Sequence, residues 1–400
     1  MFLIEFDIFQ SVTLAVFLLL IGKYLVGKIS VLEKYSIPAP IVGGFLFSIF
    51  ALVLKHYEIA MFEFDNTLQN VAMVVFFTTI GFKASFEVIK KDSKAIFLFF
   101  LCAAGLVILQ NIIGVGLCEL MGIDHIIGIL TGSTAMTGGH GTAAAIGMDA
   151  ENAGVIGAKE IGLAAATFGL VAGSVIGGPL GTRRIKKHGL KPSEKELIER
   201  FEVEEKLSRF DVFYKNVFNA AYMIIIAIGI GILVNPVLEL TGLKFPIYIG
   251  PMIVAVILRN ITDNGKGIIP KVAMDEVNLL GDFGLEIFLS MALMNLKLWE
   301  IADLATPMII LIIAQTILMI LYAYFITFNV MGRDYDAAIL MAGHCGFGMG
   351  ATPNAMANMT SLTEKYGPSQ KAFFVLPTVS ALFIDIINIF IIGIFFNIFI

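Results

Sequence analysis

Two segments of the chain combine many glycines with small polar residues and a histidine. Residues 126–148 include LTGSTAMTGGHGTAAAIG, and residues 336–361 include LMAGHCGFGMGATPNAMANM. A continuous helix is unfavourable through so many glycines, because glycine loses more backbone entropy than other residues on becoming helical. A broken helix exposes N–H groups that attract carboxylates and carbonyl groups that coordinate cations. Both segments are therefore candidates for binding a small charged solute.

Neutral side chains around these breaks could complete such a site, and their hydroxyl and amide oxygens suit a hard cation such as sodium. Asp385 adds a carboxylate in FFVLPTVSALFIDIINIF, where a charge is costly inside a membrane and is a functional hypothesis by default. It could bind an ammonium group or a sodium ion, and Asn388 lies on roughly the same helical face. The candidate substrate ligands are Ser133, Thr134, Thr137, Gly138, Gly139, His140, Thr352, Asn354, Asn358 and Asp385, and the candidate sodium ligands are Thr142, Gly348, Asp385 and Asn388.

The alternative for the hydroxyls is hydrogen bonding between helices, which is also the expectation for Gln110, Asn111 and Gln315. The alternative for Asp385 is a structural hydrogen bond to unwound backbone. His140 and His344 have no carboxylate at metal-ligand spacing, and the cysteines Cys102, Cys118 and Cys345 show no metal pattern. No protease, hydrolase or P-loop motif is found, so the sequence predicts neither an enzyme nor a cofactor.

The elements that must position these residues are transmembrane helices. Hydrophobic residues make up 58% of the 400 residues and charged residues only 15%, too apolar for a water-soluble protein of this size. Crossing a bilayer takes about 20 helical residues, and such stretches recur along the whole chain. We predict ten spans, at residues 9–29, 37–54, 68–88, 95–117, 161–181, 217–240, 245–261, 277–298, 305–328 and 371–397.

The two glycine-rich segments do not read as ordinary spans. We predict that each is a re-entrant hairpin, because non-helical backbone at membrane depth needs protein or a water-filled cavity around it. The alternative is a continuous helix whose glycines pack against a neighbouring helix.

The two halves of the chain resemble each other in the order of their elements. Met121-Gly122-Ile123-Asp124 matches Met331-Gly332-Arg333-Asp334, and at the same shift Gly138 falls on Gly348 and Thr142 on Thr352. Each half holds five spans and one hairpin, and an odd number of spans inverts the second half. We therefore predict an all-α polytopic membrane protein with an inverted repeat: an N-terminal repeat over residues 1–182, a charged cytoplasmic linker over 183–215 and a C-terminal repeat over 216–400.

Loop charge predicts the orientation. With the N-terminus outside, only Lys55, Lys159, Lys244 and Lys297 of the 27 basic residues fall on the outer side. The positive-inside rule then places both termini outside, which is the periplasm for a bacterial inner-membrane protein.

Several long motifs are similar to those of the bacterial sodium/glutamate symporter family. They are IPAPIVGG at 37–44, GGHGT at 138–142, ATFGL at 166–170, AGHCGFGMGATPNA at 342–355 and FIDIIN at 383–388. The resemblance implies sodium-coupled glutamate uptake across the bacterial inner membrane. No nucleic-acid partner is expected, because the net charge is −5 and the sequence has no basic patch. The resemblance also implies a homodimer in which a hairpin-bearing domain moves against a scaffold, in an elevator-type movement, as in the similar 2-hydroxycarboxylate transporters. The alternative is a sodium-coupled carrier of another dicarboxylate or of a 2-hydroxycarboxylate.

The family's motif residues fall here on Gly138, Gly139, His140, Gly141, Thr142, Gly343, His344, Gly346, Gly348, Gly350, Thr352 and Pro353. Lys83, Asp282 and Glu286 depart from the family pattern, since neutral residues are usual there. We expect Lys83 to pair with Asp282 or Glu286, because an unpaired charge inside a membrane is costly. The alternative is that Lys83 extends to the cytoplasmic interface.

Overall fold

The computed structural model describes residues 2–34, 37–85, 93–192, 210–240, 246–264, 272–300 and 305–399. The described chain is mainly helical. The helices are α1 (Ile8–Lys28), α2 (Ser30–Lys34), α3 (Ala39–His56), α4 (Thr67–Lys83), α5 (Ser93–Met121), α6 (His125–Ile129), α7 (Gly139–Asn152), α8 (Ala158–His188), α9 (Phe210–Glu239), α10 (Ile249–Asn264), α11 (Met274–Met294), α12 (Ala305–Tyr322), α13 (Phe328–Val330), α14 (Tyr335–Gly348), α15 (Thr352–Tyr366), α16 (Gln370–Leu382) and α17 (Ile384–Phe399). Two π-helical segments, Leu130–Thr134 and Ala323–Thr327, and a 3₁₀ turn, Leu298–Glu300, complete the helical structure.

One element was not anticipated from the sequence, and it qualifies the all-α prediction. Strands β1 (Phe2–Phe6) and β2 (Ala60–Phe64) form a two-stranded parallel sheet, with Phe2 opposite Ala60. The sheet packs on α3, where the ring of Phe47 lies 5.3 Å from that of Phe62. Each strand has only five residues and adjoins a long apolar helix. The alternation of its side chains between the two faces of the sheet therefore cannot be distinguished in the sequence. Helix α1 leads away from β1, and α3 returns the chain to β2, which pairs with β1 in parallel. Both strands therefore lie at one face of the protein, here called the N-terminal face.

Seven of the described helices are long and apolar enough to cross a membrane, and their bounds are Ile8–Lys28, Ala39–His56, Lys94–Met121, Ala158–His188, Asn216–Leu238, Met274–Met294 and Thr306–Val330. A bent pair, Gln370–Ser380 with Ile384–Phe399, makes an eighth if it is one span, and its bend is 41°. The two remaining predicted spans correspond to α4, of 17 residues, and α10, of 16 residues. The protein is thus a polytopic membrane protein, and the total of ten spans remains a prediction.

Both glycine-rich segments are helix–break–helix structures. In the first hairpin, α6 and the π-helical segment end at the turn Thr137–Gly138, where α7 begins. Gly162 shows that the arms lie side by side, because a Cβ there would be 3.4 Å from Ala143 Cβ and 3.6 Å from Leu130 Cδ2. Leu130 and Ala143 would be roughly 20 Å apart on one continuous helix, at about 1.5 Å per residue.

In the second hairpin, α14 and α15 flank the break Met349–Ala351. Asn358 Nδ2 donates to Ala342 O at 3.3 Å, which ties the two arms together. The ends of this hairpin lie at the face opposite the N-terminal face, because Gly367 packs against Pro192 beyond the end of α8. The first hairpin ends near the N-terminal face, because Glu151 at the end of α7 and Asn66 after β2 line one cavity.

Helices in corresponding places of the two halves run antiparallel. The start of α4 meets the end of α11, where Asn295 Nδ2 donates to Asn66 Oδ1 at 2.7 Å. Further along, Gly281 packs against Thr79. Likewise α5 and α12 cross antiparallel, with Tyr322 Oη donating to Cys102 O at 2.8 Å. An inverted repeat requires opposite directions for such pairs.

The apolar cores divide the helices into two groups. One core joins α5, α8, α12, α14, α15 and α16, and smaller clusters add the first hairpin and α17. We call this group the hairpin unit. The other cores join α1, α3, α4, α9, α10 and α11, here called the scaffold unit. The two units meet at small and aliphatic residues of the hairpin unit, namely Ala144, Ala145, Leu163 and Ile389.

The expected linker at 183–215 is helical at both ends. Helix α8 continues to His188, and α9 begins at Phe210. Residues 193–209 of this linker lie outside the described residues.

Candidate functional site

The breaks of the two hairpins meet each other. Gly139 adopts a left-handed conformation, with φ +64°, and a Cβ on it would lie 3.2 Å from Gly350 O. Thr137 Oγ1 lies 3.5 Å from Gly348 O. A side chain at 139 would therefore strain the turn and press on the opposite tip, which explains why glycine is needed there.

Gln110 of α5 clamps the two tips together. Its Nε2 donates to Gly348 O at 2.7 Å, and its Oε1 accepts from Thr137 Oγ1 at 2.8 Å. Gln315 of α12 in turn donates from Nε2 to Gln110 O at 2.8 Å. The expectation that both glutamines join helices is correct, but sequence reasoning missed that Gln110 holds the two tips together. Their occurrence in corresponding spans of the two halves was the available signal.

The first hairpin presents unpaired oxygens beside α17. Asn388 Nδ2 donates to Ser133 O at 3.1 Å, and Ser133 N donates to Asn111 Oδ1 at 3.0 Å. Among the described residues, the buried atoms Ser133 Oγ, Thr134 Oγ1 and Asn388 Oδ1 have no hydrogen-bond partner. Buried polar atoms are normally satisfied, so these three mark a place where a solute, an ion or water can bind. The π-helical backbone through Ser133 and Thr134 agrees with this, since π segments often occur at functional sites.

The second hairpin contacts α8 and α16 at its tip. Asn354 Nδ2 donates to Leu170 O at 2.8 Å, while Asn354 Oδ1 is buried and has no partner in the described part of the chain. Thr352 Oγ1 donates to Ser380 Oγ at 3.2 Å, close to the bend between α16 and α17. Both predicted residues therefore lie at the tip.

His140 and Thr142 occupy the first turn of α7. His140 is 6% exposed, and its Nε2 lies 3.0 Å from Thr167 Oγ1 on α8. Thr142 packs against Gly138, where an added Cβ would lie 2.8 Å from Thr142 Oγ1. The structure thus places both residues next to the break of the first hairpin.

Asn358 and His344 lie away from the tips. Asn358 follows Thr352 by nearly two helical turns, and its Nδ2 donates to Gly173 O at 2.9 Å as well as to Ala342 O. His344 Nδ1 lies 2.8 Å from Thr327 Oγ1, and its ring stacks on Phe347. These contacts fix the second hairpin to its neighbours, and substrate binding by Asn358 stays a prediction.

The predicted pairing of Lys83 with Glu286 is wrong. Glu286 Oε2 instead lies 2.8 Å from Lys23 Nζ of α1. Lys83 is not in an ion pair with Asp282 in the described part of the chain. Lys83 is in the last turn of α4, and α4 contacts both α16 and α17, the helix that contains Asp385.

Comparison with known proteins identifies the family of the chain. The profile of the family described as sodium/glutamate symporter matches residues 4–368. Proteins named sodium/glutamate symporter in Escherichia coli (strain K12) and Shigella flexneri are each 41% identical to the chain over 389 residues, which covers 96% of this chain and 95% of the relative. A protein of the same name from Haemophilus influenzae is 41% identical over 387 residues, with the same coverage. These relatives are transporters and not enzymes. The chain belongs to the sodium/glutamate symporter family.

Proposed function

We propose that this protein imports glutamate together with sodium ions across the bacterial inner membrane, with both termini in the periplasm. The observation that carries the proposal is the meeting of two broken helices, Gly139 against Gly350, among buried oxygens without partners. Two helix ends that meet from opposite faces offer a solute access from either side in turn. The family membership supplies the identity of the solute and of the ion.

The carboxylates of glutamate fit the two helix N-termini at the tips. Helix α7 begins after Gly138 and α15 after Ala351, and neither has a side-chain cap. Free N–H groups and the helix dipole favour an anion at such an end. Glutamate has two carboxylates, so we propose that each helix N-terminus binds one of them, with Ser133, Thr134, Thr137, His140, Thr352 and Asn354 around them.

Asp385 is the proposed acceptor for the ammonium group of glutamate or for a sodium ion. It lies three residues before Asn388, whose unpaired Oδ1 adjoins the first hairpin. For sodium we propose oxygens of Thr142, Asp385 and Asn388, with Ser133 and Thr134 as further neutral donors. Gly348 O already accepts a hydrogen bond from Gln110 Nε2. Gly348 therefore joins the sodium shell only when the second tip moves.

Movement of the hairpin unit against the scaffold unit is the proposed route of alternating access. The contact between the units supports this, because Gly141 of the first hairpin faces the side chains of Phe76 and Leu285 without interlocking with them. A smooth apolar boundary permits sliding without breaking many polar contacts. We further propose that two copies associate into a homodimer through their scaffold units and that the moving hairpins are re-entrant.

The test is uptake of labelled glutamate by proteoliposomes that contain the purified full-length protein and have an imposed sodium gradient. Asn354→Ala should weaken glutamate binding at least tenfold, because it removes both the unpaired oxygen and the anchor to Leu170. The matched control is Thr316→Val, since Thr316 Oγ1 only bonds to Ile312 O of its own helix. Equal binding by both variants would contradict the site.

The alternative substrates are other dicarboxylates and 2-hydroxycarboxylates. They share the two carboxylates of glutamate but lack the ammonium group. The test is whether a hydroxy acid, added at the same concentration as labelled glutamate, inhibits glutamate uptake. If it inhibits uptake as strongly as unlabelled glutamate does, and Asp385→Asn does not change this inhibition, the amino-acid assignment is wrong.

A further inference from the structure

A pair of carboxyl groups lies at the N-terminal face, where the hairpin unit meets the scaffold unit. Glu151 is in the last turn of α7, and Glu160 is in the first turn of α8. Glu160 is only 3% exposed, and its Oε1 accepts a hydrogen bond from Lys297 N at 2.9 Å. Lys297 follows α11, so this bond links the hairpin unit to the scaffold unit.

Glu151 and Glu160 line the same cavity. A hydrogen bond between their carboxyl groups would give the buried oxygen of Glu160 a donor. Ionised carboxylates have no donor, so such a bond requires one protonated partner. Glu160 Oε2 is buried and has no donor among the described residues. One proton shared by the pair would supply that donor.

The surroundings of the pair form a polar cavity of about 400 Å³. The titratable groups that line it are Glu151, Lys159, Glu160 and Lys297, together with the amides of Asn66 and Asn295. Burial raises the pKa of Glu151 to about 7, and although Lys159 opposes this effect, Glu160 adds to it. The proton is therefore held around neutral pH.

We propose that the proton shared by Glu151 and Glu160 latches the hairpin unit to the scaffold unit and that its loss releases the latch. Without the proton, two adjacent carboxylates repel each other and disturb the bond between Glu160 and Lys297. The proposal rests on the movement of the two units proposed above. It makes Glu160 a positioning residue, because it lies far along α8 from the hairpin tips.

The direction of the pH dependence follows from linkage. Glu151 has a pKa of about 7 in the latched state, against an ordinary value of 4.5 when it is hydrated. The latched state is therefore favoured fully below the ordinary pKa, and this preference is lost as the pH rises through 7. Between pH 8 and pH 6 the equilibrium should shift toward the latched state about tenfold.

Trp299 is a built-in reporter for this test. It is the only tryptophan of the chain, it lies two residues after Lys297, and Lys55 Nζ sits 3.6 Å from the centre of its ring. We expect the emission of Trp299 in the full-length protein in nanodiscs to show a transition centred near pH 7. The transition should be absent in Glu151→Gln and Glu160→Ala. His56→Gln is the control for an effect of the imidazole next to Lys55 on the emission, and this variant should keep the transition.

Sodium-driven glutamate uptake by proteoliposomes gives the second readout. The wild-type rate should rise up to about tenfold from pH 6 to pH 8, and the rate of Glu160→Ala should be flat. Glu160→Gln keeps the shape of the side chain and therefore serves as the variant in which a folding defect is not expected. Glu63→Gln changes an exposed glutamate on the same face and should behave as wild type.

Three results would decide against the latch: no transition of Trp299 in the wild type, an unchanged transition in Glu151→Gln and Glu160→Ala, or a wild-type pH profile in both. A wild-type protein that fails to take up glutamate at every pH would instead contradict the proposed function, because the fluorescence transition does not depend on transport.

Discussion

Lys23 Nζ of α1 lies 2.8 Å from Glu286 Oε2 of α11, although the two residues are 263 positions apart in the chain. Both lie within predicted spans, and their side chains are 48% and 36% exposed. Each charge accounts for the other, since either one alone would face a membrane environment unpaired. This pair, and not Lys83, explains why a glutamate is tolerated in the middle of α11.

The ion pair can be tested by a double-mutant cycle. Glu286→Gln alone should lower the stability of the protein by roughly 1–2 kcal/mol, because Lys23 is then left without its partner in lipid. The double variant Lys23→Met with Glu286→Gln should recover most of this loss. Thermal unfolding in detergent, with light scattering or the emission of Trp299 as the readout, measures it. Strictly additive losses would mean that the two charges do not depend on each other.

Asp385→Asn should abolish sodium-coupled uptake while leaving a folded protein. The substitution keeps the shape of the side chain and removes the charge that we propose attracts the ammonium group or sodium. Uptake and size-exclusion chromatography of the same preparation separate loss of function from loss of fold. Asp282→Asn is a suitable control, because Asp282 is an exposed carboxylate on α11. Wild-type uptake by Asp385→Asn would return this residue to a structural role.

Lys83→Met should allow sodium to drive uptake at lower sodium concentrations than in the wild type. Lys83 and Asp385 belong to helices that contact each other, α4 and α17, and a resident cation disfavours the binding of a second cation at a nearby carboxylate. Removing it should lower the sodium concentration for half-maximal uptake several-fold. Lys28→Met, at an exposed lysine at the end of α1, is the control. An unchanged sodium dependence would show that Lys83 does not compete for Asp385.

The sequence predicted the helical positions well, since each of the ten apolar segments contains a helix. It also located the breaks, because glycines at 138, 139, 348 and 350 have a direct backbone consequence. The neighbours of those breaks could not be predicted from spacing. Gln110 reaches both tips, and Gln315 reaches Gln110, only because α5 and α12 cross there. A polar residue in an apolar span does not reveal which partner it meets.

Long-range charge pairs were the least predictable feature. Lys83 and Glu286 are both atypical charges, and their pairing was expected because an unpaired charge inside a membrane is costly. In the structure Glu286 pairs instead with Lys23 of α1, a lysine whose position in the sequence gives no sign of its partner. Likewise the proximity of Glu151 and Glu160 depends on the turn Ala153–Gly157 between α7 and α8, whose shape is set by positive φ angles at Gly154 and Gly157.

Uptake should carry net positive charge into the cell. Glutamate has a net charge of −1, so entry with a single sodium ion would gain nothing from the membrane potential. Each net positive charge gains about 2.3 kcal/mol per 100 mV, which favours at least two sodium ions per glutamate. An inside-negative potential set by potassium and valinomycin should therefore accelerate uptake. Accumulation driven by a proton gradient in the absence of sodium would contradict sodium coupling.

Gly141→Leu should block the conformational change more than it affects glutamate binding. A Cβ at position 141 would lie 2.9 Å from Phe76 Cε1 and 3.2 Å from Leu285 Cδ1, both in the scaffold unit. The larger leucine side chain would pack into the surface of the scaffold unit, fix the first hairpin to it and oppose the proposed sliding. The matched control is Gly116→Leu, because Gly116 is an exposed helical glycine of α5 with no atom within 4 Å of an added Cβ. We expect Gly141→Leu to lose most of its uptake and to bind glutamate with an affinity within a few-fold of the wild type, measured by calorimetry in the presence of sodium. Equal loss of binding and uptake would mean that Gly141 shapes the binding site and not the boundary between the two units. Unimpaired uptake would show that the hairpin unit does not slide along Phe76 and Leu285.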